Sequence, residues 1–479
     1  MSQEELDEYN NFRFFFSKAF LETVPKAYGT RVDLEEKDLY LLLESGLVQR
    51  VDNVDQGLGM HLYCVAEPHK TRRRLIVHTV DINDFTEDSC PTTSFTEFQT
   101  MIETYIDTLA WTADLKSAYN QIPLDEDAKP FFSFNSKIGM LCLKTVATGQ
   151  RQCVGYCNCV SRALTKQTLL VAQAGHGECY IDNFCFKGSN MAMARRLVCV
   201  FFILAQQLNT TVNEKQHDVL KSIGQPFDYR GVRFSGKAVC MTKKTSTKLI
   251  HAQQELENWQ TWTFEKALSI FGLCIFASSV VKCNLCEYYI IYKYFRRRNQ
   301  QLVDNLDAAN IWKCMLQSWS SWIKALLQGT RVKTAEHPCC ILYTDASLMG
   351  WGAIRIDSGK MRGTGGPWPK CYMSWRIHIN ELEAAAVHNG LREMVSPGEV
   401  VHLRIDNTTI LYNLQKRRSR NFHINNRLRT IIDKWRLASV QYVRSEDNIA
   451  DALSRANYVV PASTPAEALD QAEVPDEKE

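Results

Sequence analysis

The first half of the chain consists of short apolar runs separated by polar turns. Leu62-Tyr-Cys-Val-Ala66 and Arg74-Leu-Ile-Val-His-Thr-Val80 read as strands flanking the polar run Glu67-Pro-His-Lys-Thr-Arg-Arg-Arg74, a hairpin with a basic tip. A further strand, Leu109-Ala-Trp-Thr-Ala113, ends in Asp114. After the glycine-punctuated Ala147-Thr-Gly149 the chain has helical potential to about Gln173. Cys179-Tyr-Ile181 and Phe184-Cys-Phe186 then flank Asp182-Asn183, apolar residues around a two-residue polar turn, which predicts a second hairpin. Met191 to Leu208 has the spacing of an amphipathic helix, and Phe227 to Phe234 reads as a strand.

From Lys243 to about Ala335 strand signals thin out and apolar residues fall at helical spacing. Trp312, Trp319 and Trp322 share one helical face, a stripe that belongs in a core more often than against a ligand. Strands return at Cys340 to Thr344, Gly352 to Ile356 and Val400 to Ile405, with helices at Asn380 to Met394, Asn407 to Gln415 and from about Asn448. The order is therefore α+β, helical linker, α/β and tail.

Length and composition limit what such a layout can be. At about 150 residues per domain, 479 residues allow roughly three domains, and 45% hydrophobic residues supply cores for them. The net charge of +3 announces no nucleic-acid binder by itself. It is an uneven sum: Ser463 to Glu479 carries six acids against Lys478 alone, while basic clusters stand at Lys70 to Arg74, Arg296 to Arg298 and Lys416 to Arg420. The Pro- and acid-rich tail predicts disorder. Seventeen cysteines in so long a chain indicate reduced thiols and an intracellular protein, cytoplasmic or nuclear. The apolar stretch Ala267 to Val281 is shorter than the roughly 18 residues of a membrane span, and the acidic start is the reverse of a secretory leader, so no membrane partner is expected.

A single Asp at a strand end or turn is ordinary. Here, however, Asp114-Leu-Lys-Ser-Ala-Tyr119-Asn-Gln-Ile-Pro, the turn Gly149-Gln150 and Tyr180-Ile-Asp182-Asn183 follow in the order and spacing of a reverse transcriptase palm, which the chain resembles. Two carboxylates on adjacent strands can hold a pair of Mg²⁺ ions about 3.5–4 Å apart, for in-line attack by a primer hydroxyl. The resemblance implies roles for other residues. Lys70 matches the lysine and Arg74 the arginine that contact an incoming triphosphate, with Arg72 and Arg73 as alternatives. Tyr119 matches the steric gate against a ribose 2′-hydroxyl, and Gly149-Gln150-Arg151 the turn over the nucleotide pocket, with Val154 where the family has proline. Phe227 to Phe234 matches the primer grip. The family's Tyr-x-Asp-Asp box departs here to Asn183, an amide that lacks the second charge.

A second set is Tyr343-Thr-Asp345-Ala-Ser-Leu-Met-Gly-Trp-Gly352, Asn380-Glu381-Leu-Glu-Ala, Ile405-Asp406-Asn-Thr-Thr and Asp447-Asn-Ile-Ala-Asp451-Ala-Leu-Ser-Arg455, which resembles the four blocks of an RNase H domain. The resemblance assigns one acid to each block: Asp345, Glu381, Asp406 and Asp451, with Asp447 and Glu446 as alternatives for the last. Four crowded acids make sense around cations. The wording of these blocks is similar to tyrosine-recombinase retrotransposons of the DIRS group, including VIPER elements.

Several tempting signals have blander readings. Asp357-Ser-Gly359 matches an aspartic-protease triplet but falls in an expected hairpin. Cys283-x-x-Cys286 has half a zinc site's spacing with no second half nearby, and Cys153, Cys157 and Cys159 fit helix packing. Lys416 to Arg420 is either a solvated charge run or a contact for duplex phosphates. The resemblance implies a right-hand polymerase of fingers, palm and thumb, a helical connection and an α/β RNase H-like domain. The expected divisions are 1–245 fingers and palm, 246–335 thumb and connection, 336–457 RNase H and 458–479 tail. The implied activity is RNA-directed DNA synthesis with RNase H cleavage, using two Mg²⁺ per site with Mn²⁺ able to substitute. Its partners would be an RNA template, a DNA primer, their hybrid and dNTPs. The alternatives are a non-catalytic nucleic-acid scaffold, or RNase H alone with polymerisation weakened by Asn183.

Overall fold

The computed structural model describes residues 3–52, 57–66, 73–87, 93–298, 311–333, 339–369, 377–396 and 398–455. Lys70, Arg72 and the acidic tail lie outside the described residues. The chain divides into two compact units, Met1–Lys237 and Ala238–Glu479.

In the first unit, three strands carry the core of one sheet in the order Leu109–Asp114, Asn183–Gly188, His176–Tyr180, all antiparallel. Its apolar face is covered by the helices Arg151–Ala172 and Met191–Gln207, the second begun by the Asn190 side chain accepting from Met193 N–H. Trp111, Phe184, Phe186, Leu197 and Phe201 interlock there, with the Trp111 and Phe186 rings stacked at 4.7 Å. Each such buried side chain contributes roughly 1.5–3 kcal/mol relative to exposure. The expected basic-tipped hairpin is Met60–Ala66 paired with Arg73–Thr79, and Arg31–Asp33 adds to it in parallel. A third three-stranded sheet joins Val48–Arg50, Gly139–Leu143 and Ser133–Ser136.

Two local expectations change. The turn between Tyr180 and Asn183 is Ile181-Asp182, and Asn183 is the first residue of the returning strand. The stretch Phe227 to Phe234 is a hairpin of Phe227–Tyr229 and Val232–Ser235. Arg230 and Gly231 both take positive φ at its turn, a conformation Gly231 accepts without strain.

In the second unit, the strand Ala238–Met241 pairs with Arg331–Val332, and the helices Lys243–Glu255, Phe264–Val281, Tyr289–Arg298 and Lys313–Gln328 lie between them. Trp319 and Trp322 are fully buried, and Trp322 Nε1 donates to Ser278 Oγ at 2.9 Å, so these two of the tryptophan stripe are core, while Trp312 is half-buried. Phe264–Val281 is long and apolar enough to cross a bilayer, yet its buried face packs within this helical layer.

The rest of this unit is a five-stranded sheet in the order Lys360–Pro367, Gly350–Asp357, Cys339–Ala346, Val400–Ile405, Arg436–Tyr442. The first three strands are antiparallel and the last two pair in parallel. The helix Ile379–Met394 lies against it, and Gly390 lets it approach: a Cβ there would meet Ala353 Cβ and Thr344 Cγ2 at 2.9 Å. Asp357-Ser-Gly359 forms the hairpin turn, with Ser358 and Gly359 at positive φ. Cys286 is buried, as are Cys153, Cys157 and Cys159 in their helix. The basic run after Thr408–Gln415 turns inward to the helical layer. Arg418 lies over the Tyr292 ring at 4.5 Å, and the Arg420 carbonyl accepts from Arg296 at 2.9 Å.

Arg355 ties the far end of this sheet together. It is nearly buried and donates to Met394 O at 2.6 Å, to Asp357 at 2.7 Å and to both oxygens of Glu399. Burial works against the Glu399 charge, but the Arg355 hydrogen bonds outweigh it and hold the carboxyl below its usual range. A depressed carboxylate adds stability above its unfolded pKa, and that stability is lost as pH falls through the folded one. Arg355→Ala is expected to cost roughly 3 kcal/mol at neutral pH. Denaturant unfolding should show the gap from wild type narrowing below about pH 4.

Candidate active sites

In the first unit, Asp114 ends its strand directly opposite Asn183, and Leu115 N–H donates to Asp182 O at 3.0 Å. The two acids therefore meet at one edge of the sheet. Ile181 holds φ 59°, unusual for a β-branched residue, and its N–H donates to Asn158 Oδ1 at 3.0 Å. Such a conformation costs on the order of 1–3 kcal/mol and persists only where its surroundings impose it. Asp182 is half-buried, and burial raises its pKa; the Asp114 charge adds to the rise while Asn183 and Arg74 oppose it. Asn183 Nδ2 donates to Asp182 Oδ1 at 2.7 Å. Asp114 is held by Asn213, whose Nδ2 donates to Oδ2 at 2.6 Å, and by Glu214, whose Oε2 accepts the Asp114 N–H at 3.0 Å.

Both acids line a cavity of about 900 Å³, together with Arg74, Tyr119, Thr148 and Asn213. Arg73 reaches it too, but its guanidinium is bound to Asp38, a residue 6% exposed, at 2.8 Å and to Glu35 at 3.4 Å. Of the two described arginines, Arg74 is the one whose charge acts on Asp182. Gly149 donates its N–H to Val77 O at 3.0 Å, and a Cβ there would come within 2.5 Å of that oxygen. Gln150 is 1% exposed, and its amide has no hydrogen-bond partner among the described residues. Tyr180 lies under the Arg230 guanidinium, 4.4 Å from the ring centroid, which brings the Phe227–Ser235 hairpin beside the acids.

These contacts separate two arginines that are adjacent in sequence. Arg74→Ala should leave the Arg73–Asp38 pair intact and change the melting temperature little. Arg73→Ala should instead leave Asp38 buried and unpaired and lower stability by roughly 1–3 kcal/mol. Thermal melting of the two variants checks this.

In the second unit, the strands bearing Asp345 and Asp406 pair in parallel with Tyr343 opposite Arg404, so both acids emerge at the same carboxyl ends. Crevices at such strand ends are where open α/β sheets bind ligands. The third acid is a correction to the expected Glu381. Asp345, Glu383 and Asp406 offer carboxylate oxygens all within 4.8 Å of one another. Glu381 lies two residues away on the helix and accepts from Asn421 Nδ2 at 2.7 Å. Glu383 shares the sheet-facing stripe with Val387 and Gly390, a helical period present in the sequence.

Asp345 is 4% exposed and Glu383 6%. Burial, then the Asp406 and Asp451 charges, push Asp345 up to about 7, against the pull of Ser454 and Arg455. Burial, then the Asp345, Asp406 and Asp451 charges, push Glu383 well above the carboxylate range. Its Oε2 has no hydrogen-bond partner among the described residues. Asp451 stands close enough for its charge to act on both, and Arg455 holds it through Nε at 3.2 Å and Nη2 at 3.1 Å. Of the alternatives, Glu446 pairs with Arg444 at 3.3 Å, and neither it nor Asp447 joins the trio. Buried mutual repulsion with an orphaned oxygen fits an oxygen-ligated divalent cation.

No protein family model matches the chain, and no curated protein sequence matches it. Solved structures do. A foamy viral protease-reverse transcriptase dRH in complex with double-stranded DNA aligns at TM-score 0.52 and 12% identity, covering 88% of this chain and 73% of that one. A foamy viral protease-reverse transcriptase in complex with double-stranded DNA aligns at TM-score 0.51 and 13% identity, covering 93% and 94%. The fold is the polymerase right hand followed by an RNase H-like domain. Asp114 and Asp182 lie at one end of the three-stranded sheet of the first unit, and Asp345, Glu383 and Asp406 beside the carboxyl ends of the five-stranded sheet of the second. The residues that motif reading missed, Asn158, Asn213, Glu214 and Arg230, act through contacts distant in sequence, for which spacing holds no signal.

Proposed function

We propose that the chain is a retroelement reverse transcriptase with RNase H activity, of the DIRS group, acting inside the cell. The observation that carries this is the meeting of Asp114, at a strand end, and Asp182, on the turn of the neighbouring hairpin, at a nucleotide-sized cavity that also holds Arg74 and Tyr119. Fingers and palm take residues 1–245, thumb and connection 246–335, and RNase H 336–457. Two Mg²⁺, or Mn²⁺, at each acid cluster would lower the pKa of the attacking hydroxyl or water and offset charge on the departing oxygen. Asp114 and Asp182 would hold them in the palm, and Asp345, Glu383, Asp406 and Asp451 in the RNase H domain.

The chain's own residues do the remaining work. Arg74, with Lys70 and Arg72 of the same basic run in the sequence, binds the triphosphate of a dNTP. Tyr119 lies where a sugar would rest and rejects the 2′-hydroxyl. Gly149 and Gln150 shape the roof, and Tyr180 under Arg230 meets the primer end. The DNA bound in the two aligned foamy viral structures supports a duplex as partner; here it is the RNA template with its DNA primer, and then their hybrid. RNase H alone is the second reading, favoured only by Asn183. Extension of a labelled DNA primer on an RNA template with Mg²⁺ tests the first reading: extended primer is expected, and its absence with both Mg²⁺ and Mn²⁺ would overturn it.

A further inference from the structure

The segment after helix Met191–Gln207 is laced to the end of the Asp114 strand. Lys116 N–H donates to Thr211 O at 3.0 Å, Leu115 and Val212 form an antiparallel bridge, and Asn213 N–H donates to Asp114 O at 2.9 Å. The register sets two side chains on Asp114: the Asn213 amide on its Oδ2 at 2.6 Å, and the half-buried Glu214 carboxylate on its backbone N–H at 3.0 Å. Across the sheet, Asp114 faces Asn183, which is neutral and whose amide is engaged by Asp182 at 2.7 Å. Negative charge is thus missing on the Asn183 side of Asp114 and present on the Glu214 side.

We propose that Glu214 is a positioning residue of the polymerase centre, supplying through Asp114 the third negative charge that Asn183 lacks. The proposal rests on the polymerase reading above. Its carboxylate fixes the backbone from which Asp114 projects, and its charge adds to the attraction that Asp114 and Asp182 exert on a divalent cation, an effect that reaches across one residue because Coulomb attraction falls only with distance. Asn213 completes the arrangement by directing Asp114 Oδ2.

Glu214→Gln keeps an oxygen for the Asp114 N–H and removes the charge. It is compared with Asn183→Asp and the double variant, all in the full chain carrying Asp345→Asn so that the RNase H acids contribute little. Mn²⁺ binding without nucleic acid is read by electron paramagnetic resonance, and the Mg²⁺ midpoint of primer extension alongside. Glu214→Gln is expected to weaken Mn²⁺ binding about tenfold and to raise the Mg²⁺ midpoint, with Asn183→Asp restoring most of both. A packing role predicts instead a lowered melting temperature and the same loss whichever residue stands at 183. Unchanged Mn²⁺ affinity in Glu214→Gln, or a loss that Asn183→Asp does not offset, overturns the proposal. Asp182→Asn separates the two levels. If it too leaves Mn²⁺ binding untouched, the polymerase reading falls and takes Glu214 with it; if it abolishes binding while Glu214→Gln does not weaken it, the Glu214 proposal alone fails.

Discussion

Glu383→Gln is expected to lower cleavage of an RNA–DNA hybrid by on the order of 100- to 1000-fold, while Glu381→Gln stays within a few-fold of wild type. Glu383 is buried against Asp345 and Asp406, and one of its oxygens has no partner among the described residues. Its charge costs stability in the empty fold and is retained only if something cationic uses it. The amide has nearly the same shape, so packing along the Val387 and Gly390 stripe survives. Removing one of three repelling carboxylates should leave the melting temperature in chelator equal to or above that of wild type. Loss of cleavage with preserved or raised stability separates a cation-holding role from a structural one. Glu381 has its partner in Asn421 and a solvent-facing setting, so its loss should cost little. Equal effects of the two substitutions would return the assignment to Glu381.

Asp182→Asn is expected to reduce primer extension by at least about 100-fold and to leave hybrid cleavage unchanged. The side chain sits on the two-residue turn beside Asp114, and the amide would remove a charge at the cavity without altering the Ile181 conformation that Asn158 supports. The neighbouring substitution Asn183→Asp should act in the other direction, lowering the Mg²⁺ needed for half-maximal extension. An extension rate indifferent to residue 182 would place the chemistry elsewhere.

The fold was legible where residue pattern and local backbone agree. Asp114 at a strand end and the Ile405-Asp406 strand end are where periodicity put them. The strand Lys360–Pro367 is half glycine and proline, and the edge strand Arg436–Tyr442 is half-buried at several positions, so neither has a clean alternation. Asn183 was misplaced by one position because a hairpin's turn and its first paired residue are equally polar here. The choice between Glu381 and Glu383 follows from counting helical turns back from Gly390, a test that motif spelling bypasses. Glu214 and Asn213 reach Asp114 only because the chain returns after some hundred residues, and no local signal encodes that.

A single assay tests whether one chain both copies RNA and destroys it. A hybrid of labelled RNA template and differently labelled DNA primer is incubated with dNTPs and Mg²⁺, using wild type, Asp182→Asn and Glu383→Gln. The expected result is extension with RNA cleavage by wild type, cleavage alone by Asp182→Asn, and extension over intact RNA by Glu383→Gln. Wild-type protein that neither extends the primer nor cuts the RNA, or two variants that lose both activities together, would rule out two separate active sites in one chain.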